Sequence, residues 1–198
     1  MLKIIFASKN PGKVKEIREI FQGSAYDIKS LNDLNGSPEI IEDGNTFEEN
    51  AEKKAKEIFD YYKVPVISDD SGFAVEQLNW MPGVYSARFA GDNATDDANN
   101  EKLIASVKQY PEPHIAKYVC SAVFYDGKNV IIERGEIYGR IITTARGHNG
   151  FGYDPYFVPD GYNKTMAELD PDEKNRISHR GIAFKKLKKK MLERQIYE

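Results

Sequence analysis

The sequence predicts an α/β fold with a mixed central β-sheet flanked by helices. Two observations carry that expectation. The chain opens as strand, loop and helix, the unit from which parallel sheets are assembled. Its middle holds two β-rich runs, Ala116 to Tyr125 and Asn129 to Ile142, joined by Asp126-Gly127-Lys128. That is a hairpin signal and requires an antiparallel pair. A third observation is size: 198 residues, 40% of them hydrophobic, can bury a core as one domain spanning 1–198.

The elements follow in order. Leu2 to Ala7 is a short apolar run and reads as a buried strand. Ser8 to Lys13 is a turn-rich loop, and Val14, Ile17, Ile20 and Phe21 then recur at helical spacing. Tyr26 to Leu31 is a candidate second strand. Thr46 with Glu49 three residues on makes a capping-box pattern, followed by an apolar stripe of Phe47, Ala51, Ala55, Ile58 and Phe59. Val64 to Ser68 reads as a strand that delivers Asp69-Asp70-Ser71-Gly72 at its end. Asn79 to Asn93 reads as loop and Asp96 to Tyr110 as helix. After the hairpin come a glycine-rich loop, Gly147 to Asp154, and a short strand, Tyr156 to Val158. From Ser178 onward the pattern is a basic amphipathic helix with Ile182, Phe184, Leu187 and Met191 near one face.

Composition excludes several classes. No apolar run approaches the ~20 residues of a membrane helix, and the opening lacks a signal-peptide pattern. The single Cys120 has no internal disulfide partner, so the expected setting is the cytoplasm. A net charge of −3 argues against a nucleic-acid partner. The lysines between Lys185 and Lys190 read as the wet face of a helix, with an RNA contact as the lesser alternative.

Three polar clusters stand out as candidate chemistry. In the first, Ser8, Lys9, Asn10, Pro11, Gly12 and Lys13 lie between a strand and a helix N-terminus, where free N–H groups and the dipole favour an anion. The spacing is not that of a P-loop. The alternative is a capped helix with a surface lysine. In the second, Asp69 and Asp70 suit a hard cation such as Mg²⁺, or Mn²⁺ in its place, with Glu42 or Asp43 as further carboxylates. Neighbours on an extended chain point to opposite sides, so one of the two aspartates is the expected ligand. The alternative is an ordinary turn. In the third, Phe151 among glycines offers a ring that can stack on a base, and Asp154 can bond to a sugar or base. Lys174, His179 and Arg180 add donors at the start of the last helix, and Ser178 can cap it. The alternative is structural: a satisfied histidine and a solvated arginine. No zinc pattern and no serine triad context is present.

Taken together, FASKNPGKVKEI, EDGNTFEENAEKKA, ISDDSGFAVEQLNWMPGVYSARFAG, GFGYDPYFVP and EKNRISHRGIAFKKL resemble the noncanonical purine nucleoside triphosphate pyrophosphatase family, which acts on inosine and xanthosine triphosphates. Ser8 stands where threonine is frequent in that family, and Phe73 where leucine is frequent. The resemblance implies two lobes with an active-site cleft between them, a homodimer, Mg²⁺ dependence, and hydrolysis of ITP, dITP or XTP to the monophosphate and pyrophosphate. It implies that Ser8 to Lys13 bind the triphosphate and that Asp70 is the catalytic carboxylate and a metal ligand with Glu42. Ser71 and Lys53 would contact substrate. Phe151, Gly152, Tyr153, Asp154, Lys174, His179 and Arg180 would form the nucleoside-binding set. Donors from His179 or Arg180 to the keto oxygen at the purine six-position would favour hypoxanthine and xanthine over adenine. Guanine shares that oxygen, so its exclusion has to act at the two-position.

Overall fold

The structure is a computed structural model and describes residues 1–196. One seven-stranded mixed sheet runs in the order β2 (Tyr26–Ser30), β1 (Leu2–Phe6), β3 (Val66–Val75), β5 (His114–Tyr125), β6 (Val130–Ile141), β7 (Phe157–Pro159), with β4 (Met81–Gly83) paired to β3. β1 is parallel to both of its neighbours, while β3–β4 and β6–β7 are antiparallel. Among the described residues five α-helices accompany it: α1 (Pro11–Phe21), α2 (Phe47–Tyr62), α3 (Asp96–Val107), α4 (Pro171–Ile177) and α5 (His179–Glu193). None among the described residues is long and apolar enough to cross a membrane.

The chain divides into two compact units. The first holds Met1–Asp70, Cys120–Gly135 and Arg180–Glu198; the second holds Ser71–Val119 and Glu136–His179. The chain therefore changes unit inside β3, inside β5, inside β6 and at the first turn of α5.

In the first unit, β1 is apolar on both faces because it is covered on both. Ile4 and Phe6 pack with Val14, Ile17 and Phe21 of α1 and with Ala183, Phe184, Leu187 and Met191 of α5. Ile5 and Ala7 pack on the opposite face with Ala51, Ala55 and Ile58 of α2. Period two along the strand thus meets period 3.6 along three helices. The ring of Phe184 meets Phe6 edge-on, with centroids 5.8 Å apart. Ala183, not Ile182, completes the α5 stripe, and Ile182 is only half-buried. The expected capping box of α2 is present: Glu49 N donates to Thr46 Oγ1 at 3.1 Å, and Thr46 N donates to Glu49 Oε2 at 3.3 Å. Lysines of the α5 face are partly engaged, Lys186 with the Arg134 carbonyl and Lys188 with the Ile20 carbonyl.

In the second unit, Phe73 is the hub of an aromatic core. Its ring stacks on Tyr153 at 4.9 Å and meets Tyr118 at 4.8 Å and Phe157 at 5.5 Å edge-on. Leu103, Ile104 and Val107 of α3 close over it with Met166 and Leu169.

Four expectations need correction. The Ser8 to Lys13 loop ends at Asn10, because Pro11 is pre-set for the first helical position and Asn10 caps it. The strand expected to stop at Ser68 continues to Val75, so Asp69 and Asp70 lie inside a strand and not at its end. Asn79 to Asn93 contains β4 and a 3₁₀ turn at Ser86–Arg88. The final helix is preceded by a separate α4, N-capped by Asp170, whose side chain accepts from Glu173 N at 2.9 Å. Ser178 is extended and ends α4, while α5 begins at His179.

Truncation of Phe184, fully buried against Phe6, should leave a cavity that its neighbours fill poorly. Phe184→Ala is expected to lower the unfolding free energy by about 3–5 kcal/mol in urea titration.

Candidate active site

In the first unit the end of β1 runs through Ala7 to Asn10 into α1. Here the polar side chains shape the turn themselves: Ser8 Oγ accepts from Asn10 N at 3.2 Å, and Asn10 Oδ1 accepts from Lys13 N at 3.1 Å. Lys9, Asn10, Pro11 and Gly12 are exposed. Lys13 reaches inward, its ammonium 2.8 Å from Asp69 Oδ2.

Asp69 and Asp70 are consecutive on β3 and meet opposite surroundings. Asp69 is 1% exposed. Its Oδ2 also receives Arg180 Nε at 3.3 Å, and its backbone carbonyl accepts from Lys54 Nζ at 2.9 Å. Arg180 in turn donates to Glu16 Oε2 at 2.7 Å. Burial opposes ionisation of Asp69, but Lys13, Arg180 and Lys54 outweigh it and hold the carboxyl well below the usual range. Asp70 is pushed up to about 6, first by burial and then by the negative charge of Glu42, against the pull of Asn50 and Lys54. Asn50 Nδ2 donates to Asp70 Oδ2 at 3.0 Å, and Asn50 Oδ1 accepts from Gly44 N at 2.7 Å. Asn50 therefore ties the acidic loop to Asp70.

Lys54 also pairs with Glu42. Burial works against its charge, yet Asp69 and Glu42 together raise its pKa above the ordinary value. Lys53, the expected substrate contact, faces elsewhere: its ammonium lies 2.6 Å from Asp43, which is largely exposed. Neither Asn50 nor Lys54 was anticipated. The signal for them was periodicity, since positions 50 and 54 lie one turn apart, beside the buried stripe of Ala51 and Ala55.

In the second unit the glycine-rich loop is organised by Asp154. This buried carboxylate accepts from Tyr118 OH at 3.0 Å, Lys174 Nζ at 2.7 Å and Phe151 N at 3.0 Å. Its place is thus inside the loop and not free toward a sugar. Burial and then the Asp154 charge raise the pKa of Tyr118 well above that of an ordinary phenol. Gly150 is required: with φ +85°, a Cβ there would sit 2.1 Å from Asp154 Oδ2 and 2.8 Å from Lys174 Nζ. Phe151 is 41% exposed, with the Lys174 ammonium 5.0 Å from its ring centroid. Tyr153 points into the core, its hydroxyl donating to the Ser86 carbonyl at 2.7 Å. His179 stacks on Tyr118 at 4.7 Å with the rings nearly parallel. Ser71 is half-buried on β3, the first residue of this unit.

The expected pairing of His179 with Arg180 as base donors is therefore divided. His179 belongs to the second unit, beside Tyr118. Arg180 belongs to the first, with its guanidinium committed to Asp69 and Glu16.

The donor set fits a hard divalent cation. Two carboxylates, Asp70 and Glu42, are close enough for one to hinder ionisation of the other, a conflict that a cation relieves. Among the described residues no group of three or more His, Cys, Asp or Glu gathers as a metal cage. Mg²⁺ characteristically takes one or two carboxylates and leaves its other positions to water and phosphate.

The sequence model of the Ham1 family matches residues 4–190. The dITP/XTP pyrophosphatase of Caldanaerobacter subterraneus subsp. tengcongensis is 46% identical over 196 residues, covering 98% of each chain. That of Bacillus subtilis is 46% identical over 191 residues, covering 96% of each. Among solved structures, a HAM1 protein from Coxiella burnetii superposes with a TM-score of 0.91 at 36% identity, covering 98% of this chain and all of that one. The Staphylococcus aureus Ham1 protein gives 0.87 at 37% identity, covering 98% and 99%.

The two aspartates should respond oppositely to loss of charge. Asp69→Asn leaves Lys13 and Arg180 facing a neutral amide and is expected to destabilise the fold by about 3 kcal/mol at pH 7. Folding lowers the pKa of Asp69 below its unfolded value of about 3.9. Its contribution is therefore intact above that value and drains away as the pH falls below it, so the deficit of Asp69→Asn should shrink in acid denaturation series. Asp70 has its folded pKa raised to about 6. Its ionised form weakens the metal-free fold above that pH, and the penalty disappears as the pH falls toward about 4. Asp70→Asn should accordingly stabilise the metal-free protein by roughly 2 kcal/mol at pH 7.5 and by little at pH 4, read from urea midpoints.

Proposed function

Because the chain belongs to the Ham1 family, we propose that it hydrolyses noncanonical purine nucleoside triphosphates such as dITP, XTP and ITP to the monophosphate and pyrophosphate. The observation that carries this reading is the divided pair on β3: Asp69 surrounded by cations, and Asp70 raised to about 6 beside Glu42. In the metal-free protein a carboxylate so placed is a stronger base than an ordinary aspartate.

Asp70 takes the proton of a water that attacks the α-phosphorus. The new oxygen–phosphorus bond forms as the bond to the bridging oxygen breaks, and the electron pair leaves on pyrophosphate. Lys13, held by Asp69, and Lys54, held between Glu42 and the Asp69 carbonyl, supply positive charge for the phosphates. Ser8 to Gly12 present the exposed start of α1 to them. In phosphoryl transfer such positioning and charge supply most of the catalysis. Mg²⁺ or Mn²⁺ held by Asp70 and Glu42 would act as a Lewis acid on the phosphate oxygens.

The second unit supplies the nucleoside chemistry. Phe151 offers an exposed ring for stacking on the purine. His179, seated on Tyr118, offers an N–H to the keto oxygen at the six-position. Adenine carries an amino donor at that position, and a donor facing a donor leaves a polar group unpaired. A purine nucleoside triphosphate carries both chemistries in one molecule. A homodimer in the cytoplasm completes the reading, on the strength of the family resemblance and the single, buried Cys120.

Pyrophosphate release from ITP, XTP, GTP and ATP with Mg²⁺ tests it. ITP and XTP should exceed ATP in kcat/KM by about a hundredfold or more. Asp70→Asn should lower kcat by about a thousandfold with nucleotide binding retained. Equal rates on all four nucleotides would refute base selection, and undiminished turnover by Asp70→Asn would refute the assigned base.

A further inference from the structure

The exposed ring of Phe151 sits in a loop with positive φ at Gly147, Gly150 and Gly152. Such a segment has many accessible conformations, so something must choose one. Asp154 fixes the entry, by accepting from Phe151 N at 3.0 Å. The exit is fixed from elsewhere. Gly152 N donates to Asp96 Oδ2 at 2.7 Å, and Asn100 Nδ2 donates to the Gly152 carbonyl at 3.0 Å.

Asp96 and Asn100 stand one turn apart on α3, on the same face of the helix. One presents an acceptor and the other a donor, matching the two polar groups of a single glycine. Asp96 is exposed at the first position of the helix, where Thr95 caps it, while Asn100 is 6% exposed. Nothing lies within 4 Å of a Cβ built on Gly152, and both of its backbone polar groups are held by these hydrogen bonds.

The geometry points to Asp96 and Asn100 as positioning residues for base recognition: a clamp on Gly152 that holds the Phe151 ring ready for the purine. The pair touches no reacting atom. It acts through the backbone that carries Phe151, which is anchored by Asp154 on one side and by α3 on the other. The inference rests on the reading of this loop as the base-binding element.

Asp96→Ala, at an exposed site, is the variant to make, with Asn100→Ala as the second. Backbone hydrogen exchange across residues 147–153 should accelerate by at least about tenfold in Asp96→Ala. KM for ITP should rise about tenfold with kcat within about twofold, and the ITP:ATP ratio of kcat/KM should narrow. Inhibition by inorganic pyrophosphate should be unchanged, since the phosphate-binding residues are not disturbed. Asp96→Asn keeps an acceptor oxygen and should restore most of the loss. Unchanged exchange, an unchanged KM, or an Asp96→Asn variant as impaired as Asp96→Ala would each overturn the clamp. Equal turnover of ITP and ATP by the unaltered protein would overturn the reading of the loop itself, and the recognition role with it, even where exchange at Gly152 responds to Asp96→Ala.

Discussion

A buried carboxylate surrounded by three cationic side chains sits under the catalytic proposal. Asp69 takes Lys13 from α1 and Arg180 from α5 on its side chain, and its backbone carbonyl takes Lys54 from α2. Buried ion pairs of this sort are poor sources of net stability, because desolvation consumes most of the attraction. What they supply is definition. Lys13 is aimed by Asp69, Arg180 is aimed by Asp69 and Glu16, and Lys54 is placed between Asp69 and Glu42. Asp70 meets burial and a neighbouring carboxylate, against the pull of Asn50 and Lys54. Two residues of the same type, one bond apart along the strand, thereby acquire opposite acid–base characters. Divergent environments of this kind separate a structural carboxylate from a reactive one.

The legible parts of the fold were those written locally. The capping box of α2, the apolar run of β1 and the hairpin turn all depend on residues within a few positions of one another. The extent of β3 was not local. Asp-Asp-Ser-Gly has turn composition, yet it lies in a strand, where cations from positions 13, 54 and 180 neutralise its buried carboxylate. The site divided in the same way. Asp70, Glu42, Phe151 and Lys174 could be named as candidates from residue type and resemblance. Which aspartate is shielded, which of two adjacent lysines turns inward, and whether Arg180 faces a base or a carboxylate depend on contacts across as many as 164 residues. Lys53 and Lys54 differ by 100° around α2, which no composition argument resolves.

The second unit assigns its polar and apolar residues in a complementary way. Phe73, Tyr118, Tyr153 and Phe157 make an aromatic core, and Tyr118 uses its hydroxyl to hold Asp154 and its ring to seat His179. Phe73 is central to that packing. One buried phenol thus connects the core to Asp154 on one side and to His179 on the other, so the rigidity of the core is passed on to a loop whose own glycines would not supply it.

The alternation along β3 has a consequence for how this segment can change over generations. Successive side chains of a strand face opposite ways, so adding or deleting one residue between Val66 and Asp69 exchanges the faces of everything downstream. Asp69 would then take the place of Asp70, and Asp70 would meet the lysine and the arginine. A substitution in β3 leaves this parity intact, but a change of length cannot be absorbed by small adjustments. The turn Asp126 to Asn129, by contrast, joins two strands whose order survives a longer connection. Length should therefore be held constant in β3 and allowed to drift in that turn, a pattern of insertions and deletions set by strand parity alone.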